Sequence, residues 1–290
     1  MAKALTVLDF FKKYPDEETC LDHVMEVRFG KSLDCPKCGK KSTFYRIKKR
    51  PAYACEFCGH HLSPMAGTPF ENTRTPLQMW FYAIYLFTTT RHGVSAKELQ
   101  RQLGVTYKTA WRMGHEIRKY MGKVDGDDEL DGHVEADESY VGGKPRYIGA
   151  RKGGRSADGK TIVFGMVERA GNLMTKVIDN ASRKTIEPII AANIAKGATM
   201  STDEWVAYDR LDRMGYTHGR VNHGTGEYVR GTIHTNTIEG FWSHFKCSVK
   251  GTHRAISKKH MAKYLGEFEF RFNLRNDSSE QMLDRLSKAF

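Results

Sequence analysis

VEADESYV, residues 134–141, decides the fold. It alternates as a strand does, so Glu135 and Asp137 share one face and Glu138 points to the other. Asp137 sits in mid-strand among hydrophobic neighbours. Working outward, residues 161–168 (TIVFGMVE) and 173–179 (LMTKVID) read as second and third strands. Ala170-Gly171-Asn172 makes the hairpin turn between them. Residues 185–195, with Ile186, Ile189, Ile190 and Ile194, read as a helix. A fourth short strand, 198–203, ends in Asp203, and residues 205–214 are expected to form another helix.

Three antiparallel strands, a helix and a further strand follow the order of an RNase H-like α/β sheet. Such a sheet gives its carboxylates a meeting point, because strands one and four are neighbours and the next helix crosses them. That helix lies in GTIHTNTIEGFWSHFKCSVK, residues 231–250. Ile238, Phe241, Phe245 and Val249 draw its apolar stripe. Glu239, Ser243, Lys246 and Lys250 draw a neighbouring one. Asp137, Asp203 and Glu239 are therefore expected to converge, and three carboxylates tolerate this only with cations between them. Hard oxygen ligands suit Mg²⁺ or Mn²⁺. Two ions about 4 Å apart clamp the attacking and leaving oxygens of a phosphoryl displacement. Glu135, on the face of Asp137, is the local rival as a ligand.

Nearer the N-terminus, residues 5–30 show helical spacing on either side of Pro15, with Asp16 placed to cap the second helix. Cys35-x2-Cys38 and Cys55-x2-Cys58 are two knuckles separated by sixteen residues. Each aims two thiolates at one centre, which closes a tetrahedral structural Zn²⁺ site with no open position. Short alternating segments around 43–47 and 51–53 make this a zinc ribbon. Lys40, Lys41, Arg46, Lys48, Lys49 and Arg50 give it a basic surface. Residues 76–89 read as a buried helix with Pro76 in its first position. Ser95 and Glu98 then form a capping box. Leu99 and Leu103 lie inward, Gly104 turns the chain, and Thr106 opens a second helix with Ala110, Met113 and Ile117 inward. With Tyr107, Lys108, Arg112 and Arg118 on the second helix, this is a helix-turn-helix pattern. The expected domains are 1–65 for the N-terminal helices and ribbon, 66–124 for the helix-turn-helix region, and 125–290 for the catalytic domain. Acidic, glycine-containing residues 124–132 link the last two.

The net charge of +12 and the pI near 9.3 favour a polyanionic partner, nucleic acid first. Between residues 246 and 275 eight Lys or Arg face two acids, clustered about the third carboxylate. Residues 144–160 form a glycine-containing basic loop, suited to a DNA backbone or else a plain insertion. Paired cysteines speak for metal rather than a disulfide framework. The apolar run 77–87 is about half a membrane span, and residues 1–18 lack a signal peptide's apolar core. A cytoplasmic protein with no membrane partner is expected.

Taken together, the two knuckles, residues 134–143, 201–208 and 234–246, with 257–260 and 267–273, resemble the DDE-class insertion-sequence transposases of the ISXO-type group. The resemblance runs over essentially the whole chain. It implies Asp137 and Asp203 as metal ligands, Glu239 as the third acid, and Lys246 as the basic residue that positions DNA. Some of that group carry asparagine as the third residue, and Asn236 stands one turn before Glu239. Here Glu239 is taken as the ligand, with Asn236 as a contact beside it. The implied activity is binding of terminal inverted repeats in double-stranded DNA, metal-dependent cleavage, and transfer of the 3′-OH to target DNA, by a homo-oligomer. Rival readings are a zinc-ribbon regulator with an inactive RNase H-like domain and a nuclease without strand transfer.

Overall fold

The computed structural model describes residues 5–124, 129–142 and 159–290. Most of the basic loop 144–160 and much of the linker 124–132 therefore lie outside the described residues. The elements in chain order are α1 (Val7–Lys13), α2 (Glu17–Phe29), β1 (Leu33–Asp34), β2 (Lys41–Ser42), β3 (Phe44–Arg46), β4 (Tyr53–Cys55), β5 (His61–Leu62), α3 (Leu77–Thr89), α4 (Ala96–Leu103) and α5 (Tyr107–Val124). Then come β6 (His133–Val141), β7 (Thr161–Glu168), β8 (Leu173–Ile178), α6 (Arg183–Asn193), β9 (Thr199–Thr202), β10 (Thr217–Arg220), β11 (Val229–Arg230), β12 (Ile233–His234), α7 (Asn236–Ser248), α8 (Lys258–Asn273) and α9 (Ser279–Ala289). Two compact units result. The first is Met1–Val124 with Arg275–Phe290, and the second is Asp125–Leu274. Among the described residues no helix is long and apolar enough to cross a membrane.

In the first unit, Asp16 caps α2 through the Thr19 amide, as its position suggests. The ribbon is a β1–β2 hairpin and a β3–β4–β5 sheet. α3 is apolar nearly all round and buries Leu77, Trp80, Phe81, Ile84 and Phe87. Pro76 is its N-cap residue, one place earlier than the sequence reading put it. Ser95 caps α4 by accepting from the Glu98 amide. The Glu98 carboxylate turns instead to Gln102, at 2.9 Å, and to Arg101. Gly104 ends α4 in the left-handed region, and Ala110, Met113 and Ile117 of α5 are fully buried. Arg118 departs from its expected place on an outer face. It is buried, donates to the Val94 carbonyl at 2.7 Å and lies over the Phe87 ring, so it ties α5 to α3 and to the approach to α4. Where the sequence reading runs the last domain from 125 to 290, α9 packs instead on α2, α3 and α5 of the first unit.

The second unit is a five-stranded sheet in the order β10-β9-β6-β7-β8. β6, β7 and β8 are antiparallel neighbours, while β9 runs parallel to β6 and β10 parallel to β9. The first four strands lie within a residue or two of where alternation put them. β10 and the β11–β12 hairpin were not anticipated. The helix expected over 205–214 is instead two single 3₁₀ turns, Val206–Tyr208 and Asp212–Met214. Side chains hold the segment off a helical path: the Trp205 indole donates to the Ala181 carbonyl at 2.8 Å, and Arg220 holds Asp209 at 2.6 Å.

One sheet face packs Val134, Ala136, Phe164 and Met166 on Ile186, Ile190 and Tyr208. The other packs Val163 and Val167 on Ile238, Phe241, Trp242 and Phe245 of α7, with Met261, Leu265 and Phe268 of α8 beside them. Each such fully buried large side chain contributes about 1.5–3 kcal/mol. α8 also covers the free edge of β8. Glu269 accepts from the Thr175 amide and hydroxyl, and Asn273 exchanges two bonds with the Leu173 backbone. α7 lies against the sheet over Gly165, where an added Cβ would stand 2.6 Å from Trp242 Cζ2 and 2.9 Å from Ile238 Cδ1. Gly165 pairs with Asp137, so this close approach brings α7 alongside that carboxylate. Gly165→Ala is expected to cost about 1–3 kcal/mol, read as a lower urea midpoint for the full chain.

Candidate active site

β6 and β9 pair in register as His133 with Thr199, Val134 with Met200, and Glu135 with Ser201. Continued two residues beyond the ladder, that register sets Asp203 beside Asp137. α7 brings Glu239 to the same face. The chemistry of each group reflects the others. Burial raises the Asp137 carboxyl to about 8, and the negative charges of Glu138, Asp203 and Glu239 push the same way. Asp203 is also raised, by burial, although the Trp205 amide donates to it at 3.0 Å; Glu204 and Glu239 add to the rise and His223 opposes it. Lys246 lies close enough to Asp137 for that carboxylate to favour its charged form, while burial lowers its pKa. The structure thus brings Asp137, Asp203, Glu239 and Lys246 into one neighbourhood. Asn236, the first residue of α7, is exposed.

Glu138 faces away, as alternation requires, and accepts a hydrogen bond from Tyr208. Burial raises it to about 7 despite that bond.

Glu135 is not an open ligand. It is fully buried, with Arg169 Nε 2.8 Å from Oε1 and the Thr237 hydroxyl donating to the same oxygen at 2.9 Å. Its other oxygen accepts the amides of Thr237, at 2.7 Å, and Ile238, at 3.2 Å. Those are orphan donors of the first turn of α7, so a strand carboxylate 102 residues upstream caps the helix. Thr235, which precedes the helix, caps no backbone amide with its side chain. Its hydroxyl holds Glu239 Oε1 instead, at 2.7 Å. Arg169 goes on to the carbonyls of Thr232 and His234, at 2.6 and 3.1 Å, fixing the entry to α7.

His223, to which the sequence reading gave no role, stands in this site. Its Nε2 is 3.6 Å from Glu239 Oε1. Glu204, next to Asp203, accepts the amides of His223 and Gly224 at 3.1 and 3.3 Å. The one sequence signal was an Asn-His-Gly turn, which does not report a neighbour sixteen residues away.

In the first unit the four sulfurs of Cys35, Cys38, Cys55 and Cys58 lie within 4.8 Å of one another. Cys35 and Cys58 are 3.6 Å apart, and Cys38 and Cys55 3.9 Å. Thiolates at about 2.3 Å around a tetrahedral ion stand about 3.8 Å apart, so the set fits structural zinc. Among the described residues it is the group of three or more such ligand atoms this tightly drawn; the carboxylates stand further apart. Of the ribbon's basic side chains, Arg46 is tied to Glu18 at 2.6 Å. In the tail, Lys258 pairs with Asp179, and Arg271 with buried Glu267. These three serve the fold as ion-pair partners.

The four-cysteine ribbon in one unit and the acid-bearing mixed sheet in the other both find a match among transposases. Residues 129–273 match the ISXO2-like transposase domain, and residues 15–61 the transposase zinc-ribbon domain. A protein of the transposable element ISH50 from Halobacterium salinarum is 30% identical over 280 residues, covering 90% of this chain and 92% of the relative. A transposase-like protein of Haemophilus influenzae is 34% identical over 99 residues, 34% of this chain and 79% of its own. The chain belongs to the ISXO2-like transposases.

The raised Asp137 carboxyl fixes a pH dependence. Unfolded, it ionises near pH 4; folded, near 8. Between those values the native state keeps a proton that the unfolded chain has released, so stability falls as pH rises. With zinc retained and no Mg²⁺ or Mn²⁺ present, the thermal midpoint is expected to drop from pH 5 to pH 8. Asp137→Asn should flatten the drop and raise the pH 8 midpoint by roughly 5 °C.

Proposed function

We propose that the second unit is an RNase H-like catalytic domain of the DDE type. In this reading it cuts DNA at the ends of an insertion sequence and joins the freed 3′-OH to target DNA. The strand order supports that fold: three antiparallel strands with two parallel strands added beside the first. The convergence of Asp137, Asp203, Glu239 and Lys246 on one sheet face carries the chemistry.

The donor set is the observation that fits it to divalent cations. Clustered carboxylates, one held neutral near pH 7 by burial and by its neighbours' charge, call for hard positive partners. Mg²⁺ or Mn²⁺, when bound, supplies Lewis acidity to the attacking and leaving oxygens. Asp137 on β6, Asp203 just past the end of β9, and Glu239 on α7, steadied by Thr235, would hold those ions. Lys246 grips a phosphate oxygen and sets the strand in line. In cleavage, water attacks phosphorus, the 3′-oxygen leaves and takes up a proton, and the water's proton passes to solvent. In transfer, that 3′-OH attacks a target phosphodiester, its proton passing to solvent, and expels the target's 3′-oxygen, which takes up a proton. Each step makes one P–O bond and breaks one, with no bond to the protein. Asn236, on the exposed end of α7, is assigned a contact with DNA rather than a ligand position.

In the first unit, α4 and α5 are read as a helix-turn-helix. Tyr107, Lys108, Trp111 and Arg112 are exposed on the outer side of α5. That side offers cations for phosphates and aromatic faces, the equipment of a helix in the major groove. With the ribbon it is assigned to the terminal repeats, with residues 1–65 and 66–124 as its two modules. The active complex is assigned as a homo-oligomer, which brings two element ends together.

Labelled terminal-repeat DNA taken from the flanks of the gene tests both assignments. Asp203→Asn should lower metal-dependent nicking and strand transfer by about a thousandfold without loss of repeat binding; unchanged activity refutes the site. Lys108→Ala should weaken repeat binding and cut the slope of log affinity against log salt by about one unit. An unchanged slope would remove α5 from the DNA contact.

A further inference from the structure

His223 belongs to a built feature of the site. The 3₁₀ turn His223–Thr225 is fixed from both sides. Glu204 accepts the His223 and Gly224 amides, and Asn222 Oδ1 accepts the Thr225 amide at 3.2 Å. Because Glu204 follows Asp203 directly, the turn is tied to the strand end that carries the second acid. The imidazole lies against the Tyr228 ring, with centroids 5.0 Å apart and planes inclined by 31°. Its Nε2 is shut off from solvent and has no hydrogen-bond partner. It looks at Glu239 Oε1 across 3.6 Å, too far for a hydrogen bond.

A ring nitrogen shut off from solvent without a hydrogen-bond partner is costly, and the carboxylate facing it is that of Glu239, although the side chain as a whole is 30% exposed. Facing a carboxylate oxygen at this separation has a simple chemical reading. Two donors on one ion, each at about 2.1 Å, stand about 3.0 Å apart when adjacent and about 4.2 Å when opposite. The observed 3.6 Å is nearer the adjacent spacing, so a closing of about 0.6 Å would seat both donors side by side on one ion. Glu239 is turned toward it by the Thr235 hydroxyl, and His223 by its clamped turn.

We propose that His223 Nε2 is a ligand, with Glu239, of a divalent ion in the carboxylate site. This rests on the carboxylate metal site proposed above. It changes the donor set from oxygen alone to oxygen with one imidazole. Such a shell favours Mn²⁺ over Mg²⁺, which keeps to oxygen donors.

The experiment uses the full chain with zinc loaded and Mn²⁺ added, followed by pulsed electron paramagnetic resonance. Bound Mn²⁺ should show the coupling of a directly coordinated ¹⁴N nucleus, replaced by ¹⁵N coupling when the protein is made with ¹⁵N-histidine. The labelled wild type needs no substitution and so carries no folding risk. In His223→Gln the coupling should vanish and Mn²⁺ affinity fall about tenfold. Mn²⁺ that is lost in Asp203→Asn but shows no histidine nitrogen in the wild type overturns the proposal and leaves the carboxylate site standing. Nitrogen coupling that survives His223→Gln also overturns it. Mn²⁺ binding indifferent to Asp203→Asn sinks the carboxylate site itself, and the histidine proposal with it.

Discussion

The second unit depends on one buried carboxylate. Glu135 takes the Arg169 guanidinium, the Thr237 hydroxyl and two amides of α7 in a place no water reaches. An ionised carboxylate in such a place costs several kcal/mol if left alone. Here the compensation comes from a cation and from the positive end of a helix, both delivered by parts of the chain distant in sequence. The pairing is therefore specific. α7 satisfies Glu135 in the one seat where its first turn meets mid-β6, and Arg169 holds the approach by two carbonyls. Since Asp137 is two residues along β6 and Glu239 is in the first turn of α7, whatever seats the helix also spaces the two acids.

That arrangement frees the residue that would otherwise cap. A threonine before a helix usually gives its oxygen to an amide of the first turn. With Glu135 occupying those amides, Thr235 turns its hydroxyl on Glu239. Structural and chemical carboxylates are thus separated along one strand by exposure to countercharge. Glu135 has its own arginine and is spent on the fold. Asp137 has none so close, and burial beside other acids leaves its carboxyl holding a proton at neutral pH. The frame built around Glu135 supplies the rigidity that lets such repulsion persist.

What the sequence made legible was local. The knuckles declare a metal site because ligand spacing and tight turns are written within a few residues. β6, β7, β8 and the apolar stripe of α7 declare themselves by period. Three kinds of feature escaped. β10 (THGR) is too short and polar to alternate visibly, and the aromatic and acidic residues of 205–214 mimic a helix that tertiary bonds dismantle. Arg118 looked like a surface cation because composition cannot show a buried carbonyl waiting for it. Glu135 looked like a rival ligand because strand alternation gives its face and not its partners. His223 left almost no trace, since its meaning depends on a clamp from Glu204 and on a helix sixteen residues ahead.

The direction of α7 across the sheet then organises the proposed chemistry. Glu239 and Lys246 are seven residues apart, two turns, or about 10 Å along the axis. Asp137 feels the charge of both. The helix therefore lays a gradient along the site, acid at one end and ammonium at the other, with the strand carboxylate between. In the proposed reading, a phosphodiester drawn to Lys246 would meet growing negative charge as it approached Glu239 and Asp203, so DNA would not settle there on lysine alone. The cations demanded by the acids are the same ones demanded by the phosphate. In this reading substrate and metal bind as mutual conditions: each carboxylate pair is stabilised by an ion that also neutralises the strand. Lys246 contributes direction and not the bulk of the charge, in keeping with a burial that lowers its own hold on a proton.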